Sequence, residues 1–260
     1  MHIIGAALSD RGKVRSSNED SFVADVGGAV FLVADGMGGH AAGEVASHLT
    51  AKAAAEALAG CAPGLAPAGR LQAAVRQANE QVYGEQERAP ECRGMGSTLT
   101  LLTFDGDGYH LAQVGDSRAY LFRDGELRQL SRDHSVVWPL YEAGDISKDE
   151  LAKHPRKHLV TRCIGTHPDV DADLYDGPVR EGDMFLLCSD GLTDVLTDGE
   201  IQCVLRRCGH NPKKACKDLV RAANDGGGPD NVTVVVVAAD AGKPRARSSL
   251  HAKIASAFRL

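Results

Sequence analysis

Asp35, Asp190 and Asp230 each sit where an apolar run meets a glycine-rich turn, and Asp116 and the pair Glu19 and Asp20 are close variants of that placement. Carboxylates delivered to strand ends that share one space cannot all stay charged without compensation. Hard divalent cations with oxygen ligands, Mg²⁺ or Mn²⁺, resolve that repulsion. Two such ions about 3.5–4 Å apart generate a hydroxide from water and clamp an in-line displacement at phosphorus. Arg15, in the same polar segment as Glu19, supplies a guanidinium fork for phosphate oxygens. For any single Asp-Gly pair, a plain turn remains the simpler account. Recurrence weighs against that account for the set, but spacing alone leaves both readings open.

The elements that would position these groups follow from periodicity. Short strands are expected at 2–8, 21–26 and 29–34, the last delivering Asp35 to its own end. Amphipathic helices are expected at 41–59 and 70–86, each with one apolar face to lay on a sheet. Strands at 98–104, 108–114, 118–123 and 126–130, joined by Asp-Gly turns, read as an antiparallel meander. The segment 131–165 is mixed in character and too long for a plain loop, so it reads as an excursion or flap with a short helix at 148–153. Strands at 170–175, 184–189 and 232–239 and helices at 198–208 and 212–223 complete the chain. The fold class expected is α+β, a sandwich with sheets inside and helices outside.

At 260 residues, 43% hydrophobic and 25% charged, the chain has ordinary globular composition and can bury a full core. Of its 29 basic residues, five lie beyond residue 240, so the first 240 residues carry 24 against 35 acidic ones. An acidic body argues against nucleic acid as the main partner and suits one that gathers cations. No run reaches the roughly 18 apolar residues of a membrane span, and the N-terminus lacks the basic start of a signal peptide. Seven scattered cysteines without a C-x-x-C pair read as reduced thiols of a cytoplasmic protein rather than a zinc site. Cys188 reads as core, and Ser97 and Thr98 as hydrogen-bonding support rather than nucleophiles. The histidines of the flap, His134, His154 and His158, read as surface residues, and Arg162 as a packing residue beside it. The basic tail, 241–260, reads as a solvated terminus, with contact to a partner or membrane surface as the second account.

Six segments occur in a telling order: Arg15-x-x-Asn18-Glu19-Asp20, the stretch from Val33 through Asp35-Gly36-Met37 to Gly43-Glu44, Gly96-Ser97-Thr98, Val114-Gly115-Asp116-Ser117-Arg118-Ala119-Tyr120, Ser189-Asp190-Gly191-Leu192 and Asp230-Asn231-Val232-Thr233. This pattern resembles the PP2C family of metal-dependent protein serine/threonine phosphatases, in its bacterial branch, over about residues 5–240. The resemblance implies a four-layer αββα sandwich, two antiparallel sheets flanked by helix pairs, with residues 131–165 as a flap that varies between members. It implies that Asp35 bridges two Mn²⁺ or Mg²⁺ ions, that the Gly36 carbonyl binds one of them, and that Asp190 and Asp230 complete the pair. Asp116, with Asp190, matches the positions of a third, weaker ion. Glu19, Asp20 and Asn231 would act through bound waters or by orienting the ligands, and Arg15 would hold the substrate phosphate.

The reaction implied is direct attack of a hydroxide bridging the two ions on a phosphoserine or phosphothreonine monoester. The partners implied are phosphoproteins and an opposing Ser/Thr kinase, the enzyme acting as a monomer. One departure stands out. Animal members carry a histidine just after the metal-binding Asp-Gly, and Met37 here has no proton to give; His40, three residues on, is not a substitute by virtue of its type, so the general acid is left unassigned. Two other classes fail on the residues: glycines 36, 38, 39 and 43 do not make G-x-G-x-x-G, and a non-catalytic relative would have lost ligand positions that are all filled here.

Overall fold

A computed structural model describes residues 2–38, 42–62 and 64–240. His40 and the tail 241–260, on which expectations were placed above, lie outside the described residues.

Two antiparallel sheets lie face to face. The first runs in the order β1 (His2–Asp10), β11 (Val232–Asp240), β10 (Met184–Cys188), β7 (Arg118–Arg123) and β8 (Glu126–Gln129). The second runs β2 (Asp20–Asp25), β3 (Val30–Met37), β5 (Leu99–Asp105), β6 (Gly108–Val114) and β9 (Asp173–Pro178), with the two-residue β4 (Gly96–Ser97) pairing the end of β3. Helices α1 (Ala42–Gly60) and α2 (Pro67–Arg88) cover the second sheet, and α6 (Asp198–Cys208) and α7 (Pro212–Asp225) the first. The order of layers is helix, sheet, sheet, helix, as the family resemblance implies.

Strand alternation makes three cores out of these layers. Val232, Val234 and Val236 of β11 face α6 and α7 together with Leu186 and Leu219. Val235 and Val237, one residue out of phase, face the other sheet, where they meet Phe31, Val33, Leu111 and Phe185. Leu32 and Ala34 of β3 point the opposite way from Phe31 and Val33 and pack under Ala46, Leu71 and Val75 of α1 and α2. A strand buried on both faces reads as a continuous apolar run, which is why 30–34 and 232–239 show no polar alternation.

Three expectations are corrected. The 98–130 strands do not form one meander: β5 and β6 pair in the second sheet while β7 and β8 belong to the first. The chain changes sheets at Gly115, whose φ of +100° is open to glycine and whose place would set a Cβ 2.6 Å from the Thr98 side chain. The strand expected at 170–175 begins later, at Asp173, because Asn79 of α2 donates to the carbonyls of His167 and Pro168 and holds the preceding loop off the sheet. Asp190 opens a helical turn, α5 (Asp190–Thr193), rather than a glycine turn.

The flap carries a short helix missed in the sequence, α3 (Trp138–Glu142), and one read correctly, α4 (Lys148–Lys153). Val137, Trp138 and Leu151 form its own small core. Ser147 and Glu150 make a reciprocal capping box at the start of α4, and Thr197 and Glu200 make another at α6. Among the described residues, no helix is long and apolar enough to cross a membrane.

Candidate metal centre

Asp20 and Asp35 are register partners on β2 and β3, so their carboxylates emerge side by side at one end of the second sheet. Asp190 follows β10 and Asp230 precedes β11, which brings both to the same end of the first sheet. Asp116 arrives from the crossover between sheets. A cavity of about 430 Å³ lies between these strand ends, lined by Asp35, Gly36, Asp116, Asp190, Asp230 and Arg15, with Glu19 and Asn231 at its side. The expected ligand positions Asp35, Gly36, Asp116, Asp190 and Asp230 therefore meet in one cavity. Asp20 does not line it; it stands behind Asp35.

Hydrogen bonds fix the segments that carry these groups. The Asp35 backbone N–H donates to Thr98 Oγ1 at 2.9 Å, the Thr98 N–H returns a bond to the Asp35 carbonyl at 2.9 Å, and Thr98 Oγ1 meets Ser117 Oγ at 2.7 Å. Thr98 is thus the hydrogen-bonding support its position foretold. Ser189 Oγ donates to Asp20 Oδ2 at 2.8 Å. Asn231 accepts from the Glu19 N–H at 2.8 Å and donates to the carbonyls of Arg11 and Ser17, clamping the 11–19 loop over the site. Gly36 has no room for a side chain: a Cβ there would collide with the carbonyl oxygen of Gly43.

Electrostatics show the strain of this convergence. Burial and the charges of Asp20, Asp190, Asp116 and Asp230 hold the Asp35 carboxyl well above the usual range. Burial, then Asp190 and Asp133, does the same to Asp116. Asp20 is pushed up to about 7, chiefly by burial, against the lowering effect of Thr233 and Ser189. Asp20 Oδ1 is buried with no hydrogen-bond partner. Arg15 Nη2 lies 2.7 Å from Asp230 Oδ2, and the Arg15 side chain is half exposed. Four mutually repelling carboxylates with the Gly36 carbonyl beside them fit hard divalent cations.

The sequence reading missed two groups at this site. His158 lines the cavity from the flap, with Nδ1 3.7 Å from Asp190 and 3.4 Å from Asp194, and these neighbouring carboxylates raise its pKa. Asp194 also receives Lys157 at 2.8 Å. Asp194 lies one helical turn after Asp190, a relation that exists only once α5 is known to be a helix. His134, unlike the exposed His158, is not a surface residue. It is buried, accepts from the Gly115 N–H at 3.2 Å and lies 3.3 Å from Asp173, with burial pushing its pKa down. Arg162 donates to Asp173 at 2.7 Å and sets the flap base as a packing residue should. Met37 lines the cavity and offers no proton.

The family model described as protein phosphatase 2C matches residues 10–212. The chain belongs to the protein phosphatase 2C family. It is 45% identical over 231 residues, 89% of its length, to the serine/threonine protein phosphatase PstP of Mycobacterium tuberculosis. It spans only 44% of that relative's length. With the serine/threonine phosphatase stp of Listeria monocytogenes it shares 36% identity over 238 residues, covering 89% of this chain and 94% of the relative. Among solved structures, the catalytic domain of PstP in complex with two manganese ions is 42% identical, with a TM-score of 0.82 over 91% of this chain and 97% of that one. The two-sheet architecture and the PP2C assignment made from six motifs both hold.

Proposed function

We propose that this chain hydrolyses phosphoserine and phosphothreonine monoesters of proteins with the aid of two divalent cations, Mn²⁺ or Mg²⁺. One observation carries the reading: four aspartates from both sheets converge on a single cavity that Arg15 overhangs. Asp35, the Gly36 carbonyl, Asp190 and Asp230 are the groups that would hold the pair, and Asp116 with Asp190 would hold a third, weaker ion. When bound, the cations supply a nucleophile from water and neutralise charge on the phosphoryl oxygens.

The chain's own residues do the rest. Arg15 exchanges its bond to Asp230 for the phosphate and orients it by a two-pronged hydrogen bond. Thr98 holds the Asp35 backbone and Asn231 holds the loop that carries Glu19, so the ligand oxygens are placed before anything binds. Asp20 acts behind Asp35 rather than in the cavity. The same reading makes the enzyme a cytoplasmic monomer that reverses a Ser/Thr kinase. The PstP catalytic domain was solved in complex with two manganese ions, which supports the choice of metal here.

Turnover of a phosphothreonine peptide tests the reading, measured with Mn²⁺, with chelator, and in Asp190→Ala. Loss in chelator and in the variant is expected. Full turnover in chelator, or an unchanged variant, would overturn the two-metal reading.

A further inference from the structure

Beside the carboxylate cavity lies a second cleft of about 420 Å³, between the flap and the α5–α6 turn. The two are continuous: Asp116, His158 and Asp190 line both. The second cleft has a different character. Apolar side chains, Val137, Leu151 and Ala152 from the flap and Val195 and Leu196 from the body, make part of its wall, among charged residues.

Its charges are largely spent on one another. Lys148 pairs with Asp198 and Lys157 with Asp194 across the mouth. On the floor, Arg118 makes three hydrogen bonds to Asp133, at 2.6–3.0 Å, and a fourth to the Tyr120 hydroxyl. Lys153 and Asp149 remain on the rim and oppose each other in sign. Inside the mouth a charged guest would have to break one of these pairs to gain a partner, whereas an apolar guest gains burial against the apolar part of the wall and breaks nothing. The volume falls in the range that holds a small organic group.

We infer that this cleft receives a large apolar side chain of the substrate chain, from a residue flanking the phosphorylated one. The inference rests on the phosphatase reading and deepens it by naming the class of sequence the site prefers. Continuity fixes the geometry: a phosphoryl group held by Arg15 and the carboxylates leaves the neighbouring residues at the shared wall. Each extended residue then spans about 3.3–3.6 Å, so a residue within about three positions of the phosphorylated one reaches the cleft.

Turnover of p-nitrophenyl phosphate with Mn²⁺ is measured first, because it needs the metal centre and not the cleft; no turnover there overturns the phosphatase reading and this inference with it. A set of phosphothreonine peptides then places Leu, Ala, Glu or Lys singly at each of the three positions on either side. At one position Leu is expected to raise kcat/KM about ten-fold over Ala, with Glu and Lys no better than Ala. In the full chain, Ala152→Trp fills the cleft from an exposed flap position and Val195→Asp charges its wall. Each is expected to abolish the Leu preference when peptide turnover is normalised to p-nitrophenyl phosphate. Equal turnover of Leu and Ala peptides at every position, a preference for Glu or Lys, or a Leu preference that survives both substitutions overturns the inference. So does a dimer that Ala152→Trp dissociates in the absence of any peptide preference, since a second copy would then be the occupant.

Discussion

Asp20 stands directly across from Asp35 in the β2–β3 ladder, with one carboxylate oxygen held by Ser189 at 2.8 Å and the other buried without a partner. Two carboxylates in that relation, with Asp190 and Asp230 close by, cost folding energy whenever all are ionised without counter-ions.

The metal-free protein should therefore gain stability as pH falls from 8 to 6. Folding raises the pKa of Asp20 to about 7 and lifts Asp35 and Asp116 well above their unfolded values near 4. Between those limits the folded state binds more protons than the unfolded one, so stability declines as pH rises through the window. Cations that bind only the folded state add stability by mass action, and protons compete with them, so with Mn²⁺ the trend should flatten or reverse. Calorimetric Tm values at pH 6 and pH 8, in chelator and in Mn²⁺, read this directly. A chelated protein whose Tm rises from pH 6 to pH 8 would contradict it.

Arg15→Ala should act on substrate binding and leave folding nearly untouched. The Arg15 side chain is 52% exposed and its bond to Asp230 is a surface pair, worth no more than about 1 kcal/mol. Its hydrogen bonds to a bound phosphate would be charge-assisted, worth about 1.5–3 kcal/mol. The expected result is a KM for phosphopeptide raised roughly 10- to 100-fold, with a Tm close to the parent. A large drop in Tm with an unchanged KM would show that the residue serves the fold instead.

Thr98→Val tests whether the hydroxyl aims Asp35. The substitution keeps the shape but removes the acceptor of the Asp35 N–H and the partner of Ser117 Oγ, both in buried surroundings. Leaving those groups unmatched should cost about 1–3 kcal/mol of stability. Mn²⁺ affinity, measured by calorimetric titration, should fall as well, because the strand end that carries Asp35 loses its anchor. Thr98→Ser, which keeps the hydroxyl, should recover most of the affinity. Equal affinity in all three proteins would remove Thr98 from the metal centre.

How much of this was legible before folding depends on range. The helix near 148–153 was legible because its signals are local: His154-Pro155 ends it, and Ser147 and Glu150 cap it within four positions. The valine run at 232–239 announced an apolar strand on its own, and the structure buries it on both faces. Three things needed the third dimension. Which sheet β7 joins turns on the backbone of Gly115 against Thr98. The place of His158 beside Asp190 depends on the flap folding back across α5. The start of β9 is delayed by Asn79, 94 positions earlier than Asp173 in the chain, holding the intervening loop. The carboxylates of the cavity could be named from motif order, but the local pattern at each was also that of a turn, and only convergence distinguishes the two.

Arg118 and Asp133 give the sharpest test of how the flap is joined to the body. Asp133 is nearly fully buried and takes bonds from Arg118 Nε and Nη2 and from Gln129. Arg118 sits on β7 opposite Cys188 of β10, and Asp133 opens the flap, so the pair ties the flap root to the first sheet. Taking both ions out of water offsets most of what their attraction contributes, so the intact pair adds little net stability. Breaking it is another matter, because Asp133→Ala strands a buried cation. That should cost about 3–5 kcal/mol, a Tm fall of roughly 10 °C for a domain of this size. The double replacement Arg118→Met with Asp133→Leu removes both charges and should recover much of that loss. The decisive comparison is therefore the single against the double variant by thermal melting. If the two lose equal stability, the pair contributes through shape rather than charge, and the assignment of Asp133 as the counter-ion of Arg118 would have to be withdrawn.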